Sequence, residues 1–237
     1  MQVQLPEILN IPPKLLPMVT DFNDYRYFHI EGGRGSGKSH SVARFLLYLA
    51  EQTHVRIVCG REIQNSIEES VYTILVDLIK QYNLAFSYTK NKIEHMVTGS
   101  TFKFKGFREQ GAVNVKGLEG VDILWIDEAQ AVTKLTLDTI IPTIRKDNAK
   151  LFFTMNPFMR DDAVSEFARN RKDCLSIKIN YYDNPHCPLS LKVEAEESKA
   201  RSERDYAHIW LGEPLATAGD YIFNYDKLWA TLDNGAL

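Results

Sequence analysis

The sequence predicts an α/β fold in which a mostly parallel sheet is flanked by helices. Strand-like apolar runs at 27–30, 55–59, 123–126 and 151–155 alternate with segments of helical apolar periodicity, and this alternation is typical of a parallel sheet. A glycine-rich segment separates the first strand from the first helix, and two acidic residues end the third strand. Since ligands bind at the carboxyl ends of parallel strands, these segments predict one site there.

The glycine-rich segment matches the pattern GxxxxGKS at residues 32–39, which read Gly-Gly-Arg-Gly-Ser-Gly-Lys-Ser. Glycines let successive backbone N–H groups turn around phosphate oxygens at the start of a helix. We expect Lys38 to reach the β- and γ-phosphates of ATP, and Ser39 to be a Mg²⁺ ligand. The predicted nucleotide contacts are Gly32, Gly33, Arg34, Gly35, Ser36, Gly37, Lys38, Ser39 and His40.

The acidic pair predicts the hydrolytic half of the site. Asp127 ends the apolar run 123–126 and is a predicted Mg²⁺ ligand. Glu128 follows it and is a predicted catalytic base that deprotonates water for attack on the γ-phosphate. The alternative is that the pair only caps the next helix. With the loop upstream, the sequence favours a P-loop NTPase of the additional-strand, catalytic-glutamate class.

Further polar residues are predicted near the phosphates. Asn156 follows the strand 151–155 and is a candidate γ-phosphate sensor. Arg34 lies inside the loop and is a candidate catalytic residue, while Arg61 and Lys116 are alternative sources of a charge-stabilising finger. Arg26 and Tyr27, just before the loop, are candidate neighbours of adenine.

Composition limits the class of protein. The chain has 237 residues, 44% hydrophobic content and a net charge of −3, so any DNA contact must be local. Candidate contacts are Lys90, Lys92, Lys103, Lys105, Arg108, Arg169, Arg171 and Lys172. Three cysteines without C-x-x-C spacing predict reduced thiols in a cytosolic setting. No apolar run is long enough to cross a membrane.

The pattern along the chain predicts a single domain with an arm. Four prolines within residues 1–24 predict an N-terminal arm across the core. The ATPase domain is predicted at 25–218, with antiparallel strands within 84–107 and a charged, solvated helical pair at 189–210. Residues 219–237 are expected to begin a linker.

The motifs together resemble the large terminase subunit of tailed bacteriophages. The likeness covers about residues 25–225 and rests on the loop, on Leu-Trp-Ile-Asp-Glu-Ala at 124–129 and on Thr-Met-Asn-Pro at 154–157. It is supported by Arg-Glu-Ile-Gln-Asn-Ser at 61–66, Lys-Gly-Leu-Glu-Gly at 116–120, Tyr-Asp-Asn-Pro at 182–185 and Trp-Leu-Gly-Glu-Pro at 210–214.

The resemblance implies an ATP-hydrolysing motor that drives double-stranded viral DNA into a procapsid. It implies a homo-oligomeric ring, with the portal protein and the small terminase subunit as partners, in the host cytoplasm and transiently at the portal. The segment 154–157 matches the family's coupling motif. Lys116 stands where many relatives carry arginine, and lysine lacks the planar fork. The family's metal-dependent nuclease domain is expected to be missing, and with it nuclease activity.

Two other functions stay open at this stage. A helicase-like DNA motor would use the same hydrolytic residues, and only the segments at 183–185 and 210–213 favour a terminase over it. A nucleotide-gated binding module would bind ATP in order to present a surface to a partner. Turnover that depends on Glu128 would distinguish a motor from such a module.

Overall fold

Nine strands form one sheet in a computed structural model that describes residues 6–63, 67–109, 112–113, 115 and 117–215. The strands are β1 (Tyr27–Glu31), β2 (Arg56–Ile63), β3 (Phe86–Thr89), β4 (Lys92–His95), β5 (Thr101–Glu109), β6 (Ala112–Val113), β7 (Ile123–Asp127), β8 (Lys150–Met155) and β9 (Cys174–Lys178). Eight of them lie in the order β3-β4-β5-β2-β7-β8-β1-β9, and β6 pairs with β5.

The sheet is mostly parallel, as the sequence predicts. All pairings from β5 through β2, β7, β8 and β1 to β9 are parallel, whereas β3, β4 and β6 pair antiparallel. Strand β8 lies between β1, which precedes the glycine loop, and β7, which ends in the acidic pair. This inserted strand is the feature of the predicted additional-strand class.

Seven α-helices accompany the sheet within the described residues. They are α1 (Pro17–Thr20), α2 (Lys38–Gln52), α3 (Ile67–Gln81), α4 (Lys134–Thr143), α5 (Ala163–Arg169), α6 (Leu189–Arg201) and α7 (Glu203–Leu211). Helices α2 and α3 bury apolar residues against one face of the sheet, and α4 and α5 against the other. Because both faces are covered, the central strands are apolar on both sides, which is why they form continuous apolar runs.

The N-terminal segment packs on the α2 side of the sheet. It forms 3-10 turns at Glu7–Leu9 and Pro13–Leu15 before α1, and Leu15 and Met18 are fully buried in the main core. The guanidinium of Arg44 on α2 donates a hydrogen bond to the Ile8 carbonyl at 3.2 Å. The domain limits at residues 24 and 218 stay predictions, and residues 219–237 lie outside the described part of the chain.

The helical pair agrees with the prediction only in part. Most residues of α6 are exposed, as predicted, whereas α7 packs against the glycine loop. Trp210 is 6% exposed, and the Arg34 amide donates to the Ile209 carbonyl at 2.8 Å. The charged residues that suggested a solvated pair lie on the exposed side of the two helices. The other side is buried and carries Ala195, Ser198, Tyr206 and Trp210.

Candidate active site

The glycine loop connects β1 to α2 and leaves no room for side chains at key positions. Gly37 caps α2 with a left-handed backbone, φ +80°, which glycine adopts without strain. A Cβ atom on Gly33 would lie 2.1 Å from the Trp210 carbonyl oxygen. The loop therefore ends at the N-terminus of α2, as the sequence predicts, and its glycines allow close packing against α7.

Lys38 folds back over the loop. Its Nζ donates to the carbonyls of Gly32 at 2.6 Å and Gly33 at 3.0 Å, and to Ser36 Oγ at 3.1 Å. Burial lowers the pKa of the Lys38 ammonium to about 8, although Asp127 and Glu128 nearby favour its charged form. The loop thus holds a positive charge where the sequence predicts phosphate.

Asp127 is held by three donors. Its Oδ1 accepts from Ser39 Oγ at 2.8 Å and from Thr154 Oγ1 at 2.7 Å, and its Oδ2 accepts from Arg61 Nη2 at 2.7 Å. Arg61, Asp127 and Thr154 lie at the carboxyl ends of the adjacent strands β2, β7 and β8. The strand ends therefore bring together the loop serine and the carboxylate that the sequence predicts as metal ligands.

Glu128 has an unusual backbone that directs its side chain into the same cleft. Successive side chains of a strand point to opposite faces, so a continued strand would separate Glu128 from Asp127. Instead Glu128 adopts φ +56° and ψ +42°, the left-handed region, and both residues line the cleft. Its Oε2 accepts from Gln130 Nε2 at 2.7 Å, and its Oε1 lies 3.7 Å from Arg61 Nη2. This strained conformation is common at functional sites.

The cleft beside the loop has a volume of about 610 Å³, within the range of small-molecule sites. The lining includes the loop, Arg61 and the acidic pair, together with Asn10, Pro12, Asn184, His186 and Pro188. A smaller cavity of about 270 Å³ adjoins the acidic pair. Asn156 lines it, with a buried Oδ1 that has no hydrogen-bond partner among the described residues.

Two asparagines hold the loop from its outer side. Asn180 Oδ1 accepts from the Gly33 amide at 3.2 Å, and Asn184 Nδ2 donates to the Gly35 carbonyl at 2.8 Å. Both asparagines are buried. Sequence reasoning gave them no role, since their partners lie far away along the chain and the only signal was the Asn-Pro turn at 184–185.

Comparison with known proteins identifies the family. The sequence profile described as phage terminase large subunit matches residues 24–213. The chain belongs to this family.

Individual relatives agree with this assignment. The terminase large subunit of Bacillus phage SPP1 is 24% identical over 205 residues, which cover 79% of this chain and 49% of that protein. The large terminase of a thermophilic bacteriophage has a similar fold, with a TM-score of 0.72 and 15% identity over 86% of this chain and 53% of the other. The present chain thus spans about half the length of these terminases.

One solved structure contains only an ATPase domain and matches this chain over almost its whole length. The ATPase domain of the Thermus phage P74-26 large terminase has a TM-score of 0.61 and 14% identity, covering 86% of this chain and 94% of that one. The thermophilic bacteriophage terminase that resembles this chain over 86% of its length has also been solved in complex with ATP-gamma-S. That complex has a TM-score of 0.64 and 14% identity, over 79% of this chain and 49% of the other.

Some predicted site residues of this terminase chain lie elsewhere. Tyr27 and Arg26 sit at the opposite end of β1 from the loop, where Tyr27 packs on Phe167 and Arg26 donates to the Ile144 carbonyl. Neither lines the two cavities, so the suggested adenine contact is wrong. Strand β1 begins at Tyr27 and ends at the loop, so residues that precede the loop closely in sequence lie at the other end of the strand. Lys116 lies outside the described residues.

Arg34 and His40 line the main cleft as predicted but are exposed, and Arg34 also lines the smaller cavity.

The basic residues suggested for DNA contact form two separate groups. Arg171 pairs with Asp173 at 2.8 Å just before β9, and Arg169 at the end of α5 donates to the Arg160 carbonyl. Strand β9 is at one edge of the sheet, whereas the lysines of β4 and β5 lie toward the other edge. The side chain of Arg108 lies outside the described part. No helix among the described residues is long and apolar enough to cross a membrane.

Proposed function

We propose that this chain binds ATP with Mg²⁺ in the 610 Å³ cleft and hydrolyses it as the motor domain of a terminase that moves double-stranded DNA into a procapsid. The observation that carries the proposal is the convergence of Lys38, Ser39, Asp127 and Glu128 on that cleft. The thermophilic bacteriophage terminase was solved with ATP-gamma-S, and its fold resembles this one. That similarity supports a nucleotide as the occupant.

The phosphate end of the cleft supplies positive charge and backbone donors. Lys38 keeps its ammonium beside the loop carbonyls of Gly32 and Gly33, and the N-terminus of α2 adds the positive end of a helix dipole. A triphosphate would provide anionic oxygens that replace these carbonyls as acceptors. Asn10, Pro12 and His186 also line the cleft and would face the nucleoside.

The residues beside the loop fit Mg²⁺. The Ser39 hydroxyl and the Asp127 carboxylate are hard oxygen donors of the kind Mg²⁺ prefers, and they are joined at 2.8 Å. Ser39 would hold the ion, with Asp127 holding it directly or through water. When bound, the ion would neutralise charge on the β- and γ-phosphates.

Glu128 would act as the general base. Its side chain is 55% exposed and lines both cavities, so it can reach water as well as the cleft. Gln130 donates to one of its oxygens and orients it. Asn156, with its unpartnered buried oxygen among the described residues, would contact the water or the γ-phosphate from the smaller cavity.

Substituting Glu128→Gln tests the hydrolytic role. The amide keeps the shape and cannot take a proton, so we expect ATP turnover to fall about 10²- to 10⁴-fold, while nucleotide affinity is retained. Steady-state phosphate release and equilibrium nucleotide binding are the two measurements. Glu197→Gln, on the exposed side of α6, is the matched control.

Equal turnover in the wild type and in Glu128→Gln would overturn the assignment of the base. Nucleotide binding without turnover in the wild type would instead favour the nucleotide-gated binding module. DNA-stimulated turnover by the wild type is expected of a motor. The ring, the portal protein and the small subunit are proposed partners by family membership.

A further inference from the structure

Trp125 lies in the middle of β7, two residues before Asp127, and its ring is fully buried. Side chains two positions apart in a strand share a face, so the indole and the carboxylate project from the same side of the sheet. On β8, Thr154 is the register partner of Asp127. The three side chains therefore lie together on the face that α2 covers.

The hydrogen bonds between these side chains all donate in the same direction, from Trp125 through Thr154 to Asp127. Trp125 Nε1 donates to Thr154 Oγ1 at 2.9 Å, and Thr154 Oγ1 donates to Asp127 Oδ1 at 2.7 Å. An indole N–H cannot accept, and a hydroxyl has a single proton. With its oxygen facing the indole N–H, the hydroxyl of Thr154 must direct its proton to the carboxylate.

We propose that Trp125 is a positioning residue for the metal-side carboxylate, acting through Thr154. The role rests on the proposed function, in which Ser39 and Asp127 hold Mg²⁺. Donation from the indole polarises the Thr154 hydroxyl and makes it a better donor, because hydrogen bonds in a chain strengthen one another. Asp127 Oδ1 is then held toward Ser39 by a chain that begins inside the core.

Thr154 opens the segment 154–157, which resembles the family's coupling motif, so the chain of hydrogen bonds also links that segment to the core. The indole is buried among apolar residues of the α2 face and does not line either cavity. A change at Trp125 can reach the cleft only through its neighbours. This separates its role from that of a residue that contacts nucleotide.

The test compares nucleotide affinity with and without metal. ATP-gamma-S binding is measured in Mg²⁺ and in EDTA for the wild type, Trp125→Phe, Thr154→Val and the double variant. We expect Trp125→Phe to reduce the gain in affinity from Mg²⁺ about threefold to tenfold, the equivalent of one hydrogen bond, with EDTA affinity unchanged. In the Thr154→Val background, Trp125→Phe should have no further effect on that gain.

Thr154→Ser keeps the hydroxyl, so the effect of Trp125→Phe should persist there even if Thr154→Val folds poorly. Phe152→Leu is the packing control, because Phe152 is the register partner of Trp125 and is also fully buried. It should lower the unfolding temperature and leave the metal dependence unaltered.

Three results would overturn the positioning role. They are an unchanged metal dependence in Trp125→Phe, an equal loss of affinity in Mg²⁺ and in EDTA, or effects of Trp125→Phe and Thr154→Val that multiply. A wild type whose nucleotide affinity ignores Mg²⁺ would overturn both the metal site and the positioning role. The first three results would leave the proposed function standing.

Discussion

Arg61 places a guanidinium beside both acidic residues of the site. Its Nη2 lies 2.7 Å from Asp127 Oδ2 and 3.7 Å from Glu128 Oε1, and its side chain is only 12% exposed. Two adjacent carboxylates repel each other, and a cation between them relieves that repulsion. Since the same group lines the cleft proposed to bind nucleotide, it would also stabilise charge on the phosphates.

Arg61→Ala is therefore expected to lower ATP turnover about 100-fold, the scale of losing one preorganised donor at a reacting group. Arg61→Lys should recover only part of the activity, because lysine keeps the charge without the planar fork. Phosphate release at saturating ATP measures both, with Arg145→Ala as an exposed control. Wild-type turnover in Arg61→Ala would restrict Arg61 to a structural role.

Buried His29 is expected to make the stability of the fold depend on pH. Burial and the nearby Arg169 lower the pKa of His29 to about 4, and its Nε2 lies 3.7 Å from Glu31 Oε2. Lys178 and Glu213 are further charges around Glu31, whose own pKa is raised by burial. A histidine that stays neutral in the folded state binds its proton more readily when unfolded.

The free energy of unfolding should therefore be fully retained above pH 6.5 and fall as the pH drops from 6.5 to about 4. The decrease at pH 5 is on the order of 2 kcal/mol, reduced by the opposite contribution of Glu31. Denaturant unfolding of the wild type and His29→Gln at pH 7 and pH 5 measures it. Equal decreases in the two proteins would contradict the assignment to His29.

At the residue scale, the sequence predicts the groups that follow from a contiguous motif. Lys38, Ser39, Asp127 and Glu128 were predicted and the structure brings them to one cleft, although their chemical roles stay predictions. Arg61 was only one of several basic candidates, because which of them faces the acidic pair depends on strand order.

At the scale of elements, the loop is held between the sheet and an outer wall. The wall consists of the 3-10 turn Tyr181–Asp183 with its flanking asparagines, and of α7. Asn184 bonds the Gly35 carbonyl and accepts from the His186 amide at 3.0 Å. The Arg34 amide bonds to the carbonyl of Ile209 in α7. The loop conformation therefore depends on contacts with segments that lie much later in the chain.

Asn184→Ala should weaken ATP binding about threefold to tenfold, since it removes a hydrogen bond from the buried loop. Turnover at saturating ATP should change less, because Glu128 and Asp127 are untouched. Equilibrium nucleotide binding measures the effect, with Asn170→Ala on the surface as control. An unchanged affinity would show that the loop keeps its conformation without this wall.

The strands and most helices were predictable because apolar periodicity depends on local sequence. The core strands β1, β7 and β8 fall where the apolar runs predict them. Helix α5 was missed, since its seven residues span too few turns to show a period. The predicted outer position of α7 was also wrong. A charged face indicates which side of a helix is exposed to water, but it does not indicate which element packs against the other side.

At the scale of the molecule, the proposed movement of DNA requires local clusters of positive charge, because the net charge of the chain is −3. Lys92, Lys103 and Lys105 provide one such group. Lys92 and Lys103 are register partners on β4 and β5, and alternation places all three on the face opposite Ile93 and Phe102, which join the α2 side of the core. Lys92 also pairs with Glu94.

Replacing Lys92, Lys103 and Lys105 together by alanine is expected to weaken binding to double-stranded DNA. Affinity falls as salt rises, and each DNA phosphate that the variant no longer neutralises should reduce the magnitude of the slope of log affinity against log salt by about 0.9. The triple variant should therefore show a shallower slope as well as a lower affinity. Binding to a duplex of arbitrary sequence, measured at several salt concentrations, gives both quantities. Replacing Lys134, Lys146 and Lys199 removes the same charge from exposed positions elsewhere and should alter neither. If both triple variants bound DNA more weakly than the wild type but with the wild-type salt dependence, only the net charge would matter. DNA would then contact another surface.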